Sequence, residues 1–113
     1  MQAPQPAVLL RIYTEEGAMN GDRPLYEDVV MKARDAKLAG ATVLRGPMGF
    51  GAGAKIRTAK ILDLSAKLPL VIEIVDSEDK IRAFLSELDS FRDMGLVTLE
   101  KVEVVHYGRS PRP

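Results

Sequence analysis

The sequence predicts an α+β protein of ferredoxin-like βαββαβ class, a four-stranded antiparallel sheet with two helices on one face. Two observations carry this. Four short stretches have strand character and two have apolar residues at helical spacing. They follow one another as strand, helix, strand, strand, helix, strand, the split β-α-β arrangement.

Residues 1–6 hold two prolines and no periodicity, and read as a flexible tail. Ala7–Tyr13 alternates, with Val8, Leu10 and Ile12 on one face and Leu9, Arg11 and Tyr13 on the other. A polar turn-rich stretch, Glu15 to Asp22, follows. Its acids match no metal loop, so it reads as a solvated acidic loop. Pro24 is placed at the first position of a helix, where its missing N–H has no partner to lose. Leu25, Tyr26, Val29, Val30, Ala33 and Ala36 form that helix's apolar side, and Gly40 is its expected stop. Thr42–Gly46 reads as a strand and Leu70–Val75 as another, β-branched and preceded by Pro69. Residues 58–67 fit either a hairpin extension or a helical turn. Asp76 or Ser77 offers an N-cap to a second helix, striped by Ile81, Phe84, Leu85 and Leu88 and closed by Gly95. Leu99–Tyr107 is the last strand, so one domain spans 7–107, and 108–113 reads as a second tail.

With both helices on one side, the other sheet face should be polar if it met water. The second residue set is mixed instead: Leu9, Val71, Val75 and Val105 beside Arg11, Arg45, Glu73 and Glu103. Apolar residues with opposite charges among them suit a subunit interface, with Glu73 pairing Arg11 or Arg45.

The most unusual stretch runs from Gly46 to Arg57. It holds four of the nine glycines, bordered by Arg45, Lys55, Arg57 and Lys60. Gly loses the most backbone entropy on ordering, so the run is expected to be neither helix nor strand interior. Three readings stay open: an anion nest with Lys55 or Arg57, a mobile finger for a partner, or a plain connection. Phe50 has little local packing there. Neither a P-loop nor a G-x-G-x-x-G pattern is present; the spacing is Gly49-x-Gly51-x-Gly53. The ligand-binding candidates are Arg45, Gly49, Phe50, Gly51, Gly53, Lys55 and Arg57.

Sixteen basic and sixteen acidic residues leave no net charge, which argues against nucleic-acid binding. Without Cys, thiolate metal sites are excluded, and His106 is the single histidine. No run approaches a bilayer span and no signal peptide is visible, so a cytoplasmic protein without membrane insertion is expected. No catalytic or metal residue is assigned.

Gly40-Ala41-Thr42-Val43-Leu44-Arg45 leading into Gly49-Phe50-Gly51 resembles the strand and Gly-Phe-Gly turn of PII (GlnB-like) signalling proteins. Arg23-Pro24-Leu25-Tyr26-Glu27 and the stretch from Gly95 to Val104 resemble its short branch of PII-like domains without established function. The resemblance covers about residues 7–107. It implies a homotrimer with open sheet faces turned inward and an adenine nucleotide or other small anion in clefts between subunits. Gly49, Phe50 and Gly51 would line the cleft, and the exposed loop would grip a regulated partner such as a membrane transporter or channel. The family's phosphate-gripping Thr-Gly-x-x-Gly-Asp-Gly-Lys loop has no counterpart at Arg92-Asp93-Met94-Gly95, so weak ATP binding is implied. The alternatives are a small-ion or metal-responsive CutA-like trimer and an acylphosphatase-like enzyme. Glu15 and Glu16 stand where the enzyme would cradle phosphate.

Overall fold

The computed structural model describes residues 3–59 and 67–108. Its elements in chain order are β1 (Gln5–Glu15), β2 (Met19–Asn20), β3 (Arg23–Pro24), α1 (Leu25–Asp35), β4 (Thr42–Arg45), β5 (Met48–Gly49), β6 (Arg57–Thr58), β7 (Pro69–Asp76), α2 (Glu78–Glu87) and β8 (Leu96–Val104). The main sheet has the order β4-β7-β1-β8, and each neighbouring pair is antiparallel. This is the expected ferredoxin-like fold.

The alternation in β1 decides where the core lies. Leu10 is level with Ile74 and Leu99, and Ile12 with Ile72 and Val97. Leu10, Ile12, Ile72 and Ile74 are buried together with Leu25 and Val29 of α1 and Ile81, Phe84 and Leu88 on the α2 side. Full burial of each such side chain contributes about 2 kcal/mol relative to leaving it exposed.

Several boundaries differ from the sequence reading. Gln5 and Pro6 pair with Val104 and Glu103, so they belong to the sheet and not to a tail. The last strand starts at Leu96 and ends at Val104, three residues earlier at each end than expected. A two-residue ladder, Met19–Asn20 with Arg23–Pro24, precedes α1. It is too short to leave a periodic signal. Pro24 is the N-cap of α1, not its first residue, and the Leu25 N–H donates to the Ala18 carbonyl at 2.9 Å. The helix stops at Ala36, before Gly40. The α2 N-cap is Ser77, whose Oγ accepts from the Lys80 N–H. Ile61, Leu62 and Leu64, read as hairpin or helical turn, lie outside the described residues.

The open face also needs correction. Cross-strand register puts Leu9, Val75 and Glu100 on one row, Arg11, Glu73 and Thr98 on the next, and Tyr13, Val71 and Leu96 on a third. Glu103 and Arg45 lie on the opposite parity, level with Pro6 and Leu70, and Val105 is beyond the strand. Glu100 takes the place that Glu103 was expected to fill. Arg11 pairs with Glu73 at 2.8 Å and with Glu100 at 3.1 Å, tying β7, β1 and β8 together. Its pKa is raised, chiefly by the hydrogen bond to Glu73. Around this charge network Leu9, Tyr13, Leu44, Val71, Val75 and Leu96 stay half-exposed or exposed.

Candidate functional site

The glycine-rich stretch is a small hairpin standing at one end of the sheet. Its base is fixed by the Gly46 N–H donating to the Pro69 carbonyl at 2.8 Å. Met48 is level with Thr58 and Gly49 with Arg57. Gly49 is thus part of a short strand, which the glycine content argued against. The reason is steric: a Cβ at Gly49 would stand 3.1 Å from Cγ of Pro69, so the absent side chain lets the hairpin lie on the proline ring. A turn closes the tip, with the Ala54 N–H donating to the Gly51 carbonyl at 2.8 Å and Ala54 at φ 60°. Gly51 and Gly53 have open space around them. Phe50 is 72% exposed, Met48 62% and Ile56 60%. Lys55 is exposed and enters no ion pair among the described residues.

Each of the two arginines already faces a carboxylate. Nη2 of Arg45 lies 3.4 Å from Oε2 of Glu16, and Nη2 of Arg57 lies 3.3 Å from Oε1 of Glu15. Glu16 also accepts the Leu68 N–H on Oε1 at 2.9 Å, while its own N–H donates to the Leu68 carbonyl. The acidic turn after β1 is therefore partly buried and holds the loop at Arg45, Arg57 and Leu68, not the solvated loop expected. Nε of Arg57 is buried without a hydrogen-bond partner among the described residues. Leaving such a group unsatisfied costs roughly 1–3 kcal/mol. The seven expected site residues share one arm of the molecule.

A cavity of about 620 Å³ lies at the opposite end of the sheet. Its floor is the open face at Ala7, Leu9, Val75 and Val104, and its walls are the α1–β4 turn, the start of α2 and the segment after β8. Oδ2 of Asp76 accepts the Ala39 N–H at 2.9 Å, and Oδ1 accepts the Ser77 N–H at 2.7 Å. The Tyr107 hydroxyl donates to the Ala39 carbonyl at 2.6 Å. These bonds gather three chain segments into one wall. The sequence reading gave no site role to Lys37, Lys80, Asp76 or Tyr107. The available signal was the run Ala39-Gly40-Ala41, where small side chains leave a concavity beside the strand end. His106 lines the same cavity, past the end of β8 and not within a strand. Among the described residues no helix is long and apolar enough to cross a membrane, and no three His, Cys, Asp or Glu side chains form a metal-holding group.

The fold is that of PII-like proteins. CPII from Thiomonas intermedia K12, in a structure bound to ADP and bicarbonate, superposes with a TM-score of 0.70 at 17% identity, covering 94% of this chain and 95% of that one. A PII-like signaling protein (TTHA0516) from Thermus thermophilus gives 0.64 at 20% identity, covering 93% and 94%. Within that class the chain belongs to the DUF190 family, described as "Uncharacterized ACR, COG1993", which matches residues 7–104. A UPF0166 protein of Aquifex aeolicus is 42% identical over 98 residues, 87% of this chain and 92% of its own length. UPF0166 protein MJ1524 of Methanocaldococcus jannaschii is 30% identical over 87% of this chain and 91% of its own length.

Proposed function

We propose that this chain is a non-enzymatic PII-like regulator of the cytoplasm, a homotrimer that binds a small anion and signals through its glycine-rich hairpin. The observation that carries the reading is the hairpin itself. It holds Met48, Phe50 and Ile56 out in the open, and Glu15 and Glu16 tether its base through ion pairs. An anion at the base competes with those carboxylates for Arg45 and Arg57. A ligand that binds one hairpin state better than another shifts the population toward that state. The partner is a regulated protein, with a membrane transporter or channel as first choice, docked on the exposed apolar side chains.

The ligand site belongs at the hairpin base, at Arg45, Gly49, Phe50, Gly51, Gly53, Lys55 and Arg57, next to a second subunit. Structures with this fold carry ADP, AMP and bicarbonate, which supports an adenine nucleotide of few phosphates or another small anion. The apolar open face supports assembly, because Leu9, Tyr13, Val71 and Val75 surround an Arg11 network already neutralised in part.

Light scattering and calorimetry test the two halves. A mass three times the 12.4 kDa chain is expected at micromolar concentration; a monomer removes the inter-subunit site. ADP, AMP or bicarbonate is expected to bind more tightly than ATP. ATP as the tightest ligand contradicts the reading.

A further inference from the structure

The charges at the centre of the open sheet face do not cancel. Register brings three ionised side chains together there: Arg11 of β1, Glu73 of β7 and Glu100 of β8. One guanidinium serves two carboxylates, so the face keeps one negative charge per chain. Glu15, at the end of β1, shares this parity but faces Arg57. The other β8 residues on the face are Leu96, Thr98, Val102 and Val104, and β4 adds Thr42 and Leu44, all uncharged. The two carboxylates are not equivalent. Glu73 takes Nε of Arg11 at 2.8 Å and its side chain is 31% exposed. Glu100 takes Nη1 at 3.1 Å and is 61% exposed. The surplus charge therefore belongs to Glu100.

Water carries that charge while the face is open. Covering the face with other copies of the chain removes the water, and an ionised carboxylate without a counter-charge of its own is costly to desolvate. Its surroundings offer no relief. Leu9 is level with Glu100 and Val102 follows two residues on, both apolar. Lys101 has the opposite parity, level with Val8. Symmetry adds to the cost, because each copy in a symmetric assembly presents the same surface and brings the same surplus. A carboxyl group losing water is best accommodated in its neutral form. The neutral acid still has an oxygen to accept from Arg11, and gains an O–H to donate.

We infer that the open face is an interface between copies of this chain that closes with the uptake of one proton per chain, at Glu100. The inference rests on the proposed assembly through this face; it needs neither the glycine-rich hairpin nor a ligand. The sign follows from linkage: an assembly that binds more protons than its separated chains strengthens as pH falls and weakens as pH rises.

Sedimentation of the fluorescently labelled full chain, from nanomolar to micromolar concentration at about pH 8 and about pH 5.5, is the test. An exposed glutamate titrates near pH 4.3, so a proton held at about pH 5.5 is held by the closed face. The concentration of half-assembly should be about tenfold lower at the acid pH. Glu100→Gln has the shape of the neutral acid. At about pH 8 it should assemble at about tenfold lower concentration than the parent, and its two pH values should agree within about twofold. His106, the single histidine, titrates in the same range. His106→Gln should keep the parent's full pH response. A Glu100→Gln chain that assembles no more tightly than the parent at about pH 8, or that still responds to pH, overturns the inference. A parent without a pH response, or fully assembled at nanomolar concentration at the higher pH, overturns it too and leaves the assembly reading standing. Parent and Glu100→Gln chains that stay monomeric at both pH values overturn both readings.

Discussion

The two ends of the sheet solve opposite problems. Strand β1 runs 11 residues between them, roughly 35 Å at 3.3 Å per residue. At the hairpin end, two glycines, Gly49 and Gly95, stand where neighbouring atoms leave little room. Gly49 faces the Pro69 ring, and a Cβ on Gly95 would collide with the Tyr13 carbonyl oxygen. Two of the cations there, Arg45 and Arg57, are paired with Glu16 and Glu15. At the cavity end the one position that favours glycine holds Lys37, and the cations of the lining are unpaired among the described residues. One end ties its arginines to carboxylates of its own chain. The other leaves Lys37 and Lys80 without an ion pair among the described residues, and each end carries one left-handed residue that is not glycine, Ala54 and Lys37. Among the clustered glycines only Gly49 marks a close contact, while Gly51 and Gly53 meet nothing within 4 Å.

The largest expected effect breaks the hairpin end. Gly95 has φ 26° and precedes Leu96, which is level with Tyr13 in the sheet. In Gly95→Ala the new Cβ forces β8 away from β1 at that point, and the positive φ adds strain. A loss of about 3 kcal/mol or more is expected, comparable to severe overpacking. Urea denaturation measures it. A loss below about 1 kcal/mol would mean that the strand end yields, and that this end is not packed as tightly as the geometry implies.

Much of this architecture was legible in the sequence, for identifiable reasons. The alternation of Val8, Leu10 and Ile12 and the stripe of Ile81, Phe84 and Leu88 are periodic, and burial enforces both. The ion pairs were harder. Glu73 was expected to pair with Arg11 or Arg45; it pairs with Arg11, and Arg45 turns to Glu16, because pairing at a strand end depends on which turn folds beside it. The cavity was not legible. Its walls come from the start of β1, the α1–β4 turn, the end of β7 and the segment after β8, which no local pattern links. The conformation of Lys37 was hidden as well, since Gly40 supplied a plausible helix stop three residues too late.

A middle-sized effect sharpens the comparison. Glu16→Ala removes the partner of Arg45 and the acceptor of the Leu68 N–H in one step. These groups are partly exposed, so solvent recovers part of the loss, and about 1 kcal/mol is expected. The distribution is more telling than the total. Amide exchange should accelerate across residues 46–59, while Ala39 and Ser77, whose N–H groups bond to Asp76 at the cavity end, keep their protection. Equal acceleration at both ends would show that the ends are coupled through the sheet.

The smallest effect divides the glycines of the hairpin from one another. A Cβ at Gly49 must push the Pro69 ring aside by a few tenths of an ångström, whereas one at Gly51 meets nothing within 4 Å. Gly51 also has no positive φ to protect. Gly49→Ala should therefore cost about 1 kcal/mol in the ligand-free protein, at the low end of overpacking. Gly51→Ala should stay within about 0.5 kcal/mol, or stabilise slightly by restricting the unfolded chain. Thermal unfolding of the two variants at one concentration makes the comparison. If the order holds, the fold accounts for Gly49 by itself, and any requirement for glycine at position 51 must come from something that approaches the hairpin from outside. If Gly51→Ala is instead the more damaging, the tip of the hairpin packs against another copy of the chain, and the hairpin end is an assembly contact before it is a ligand site.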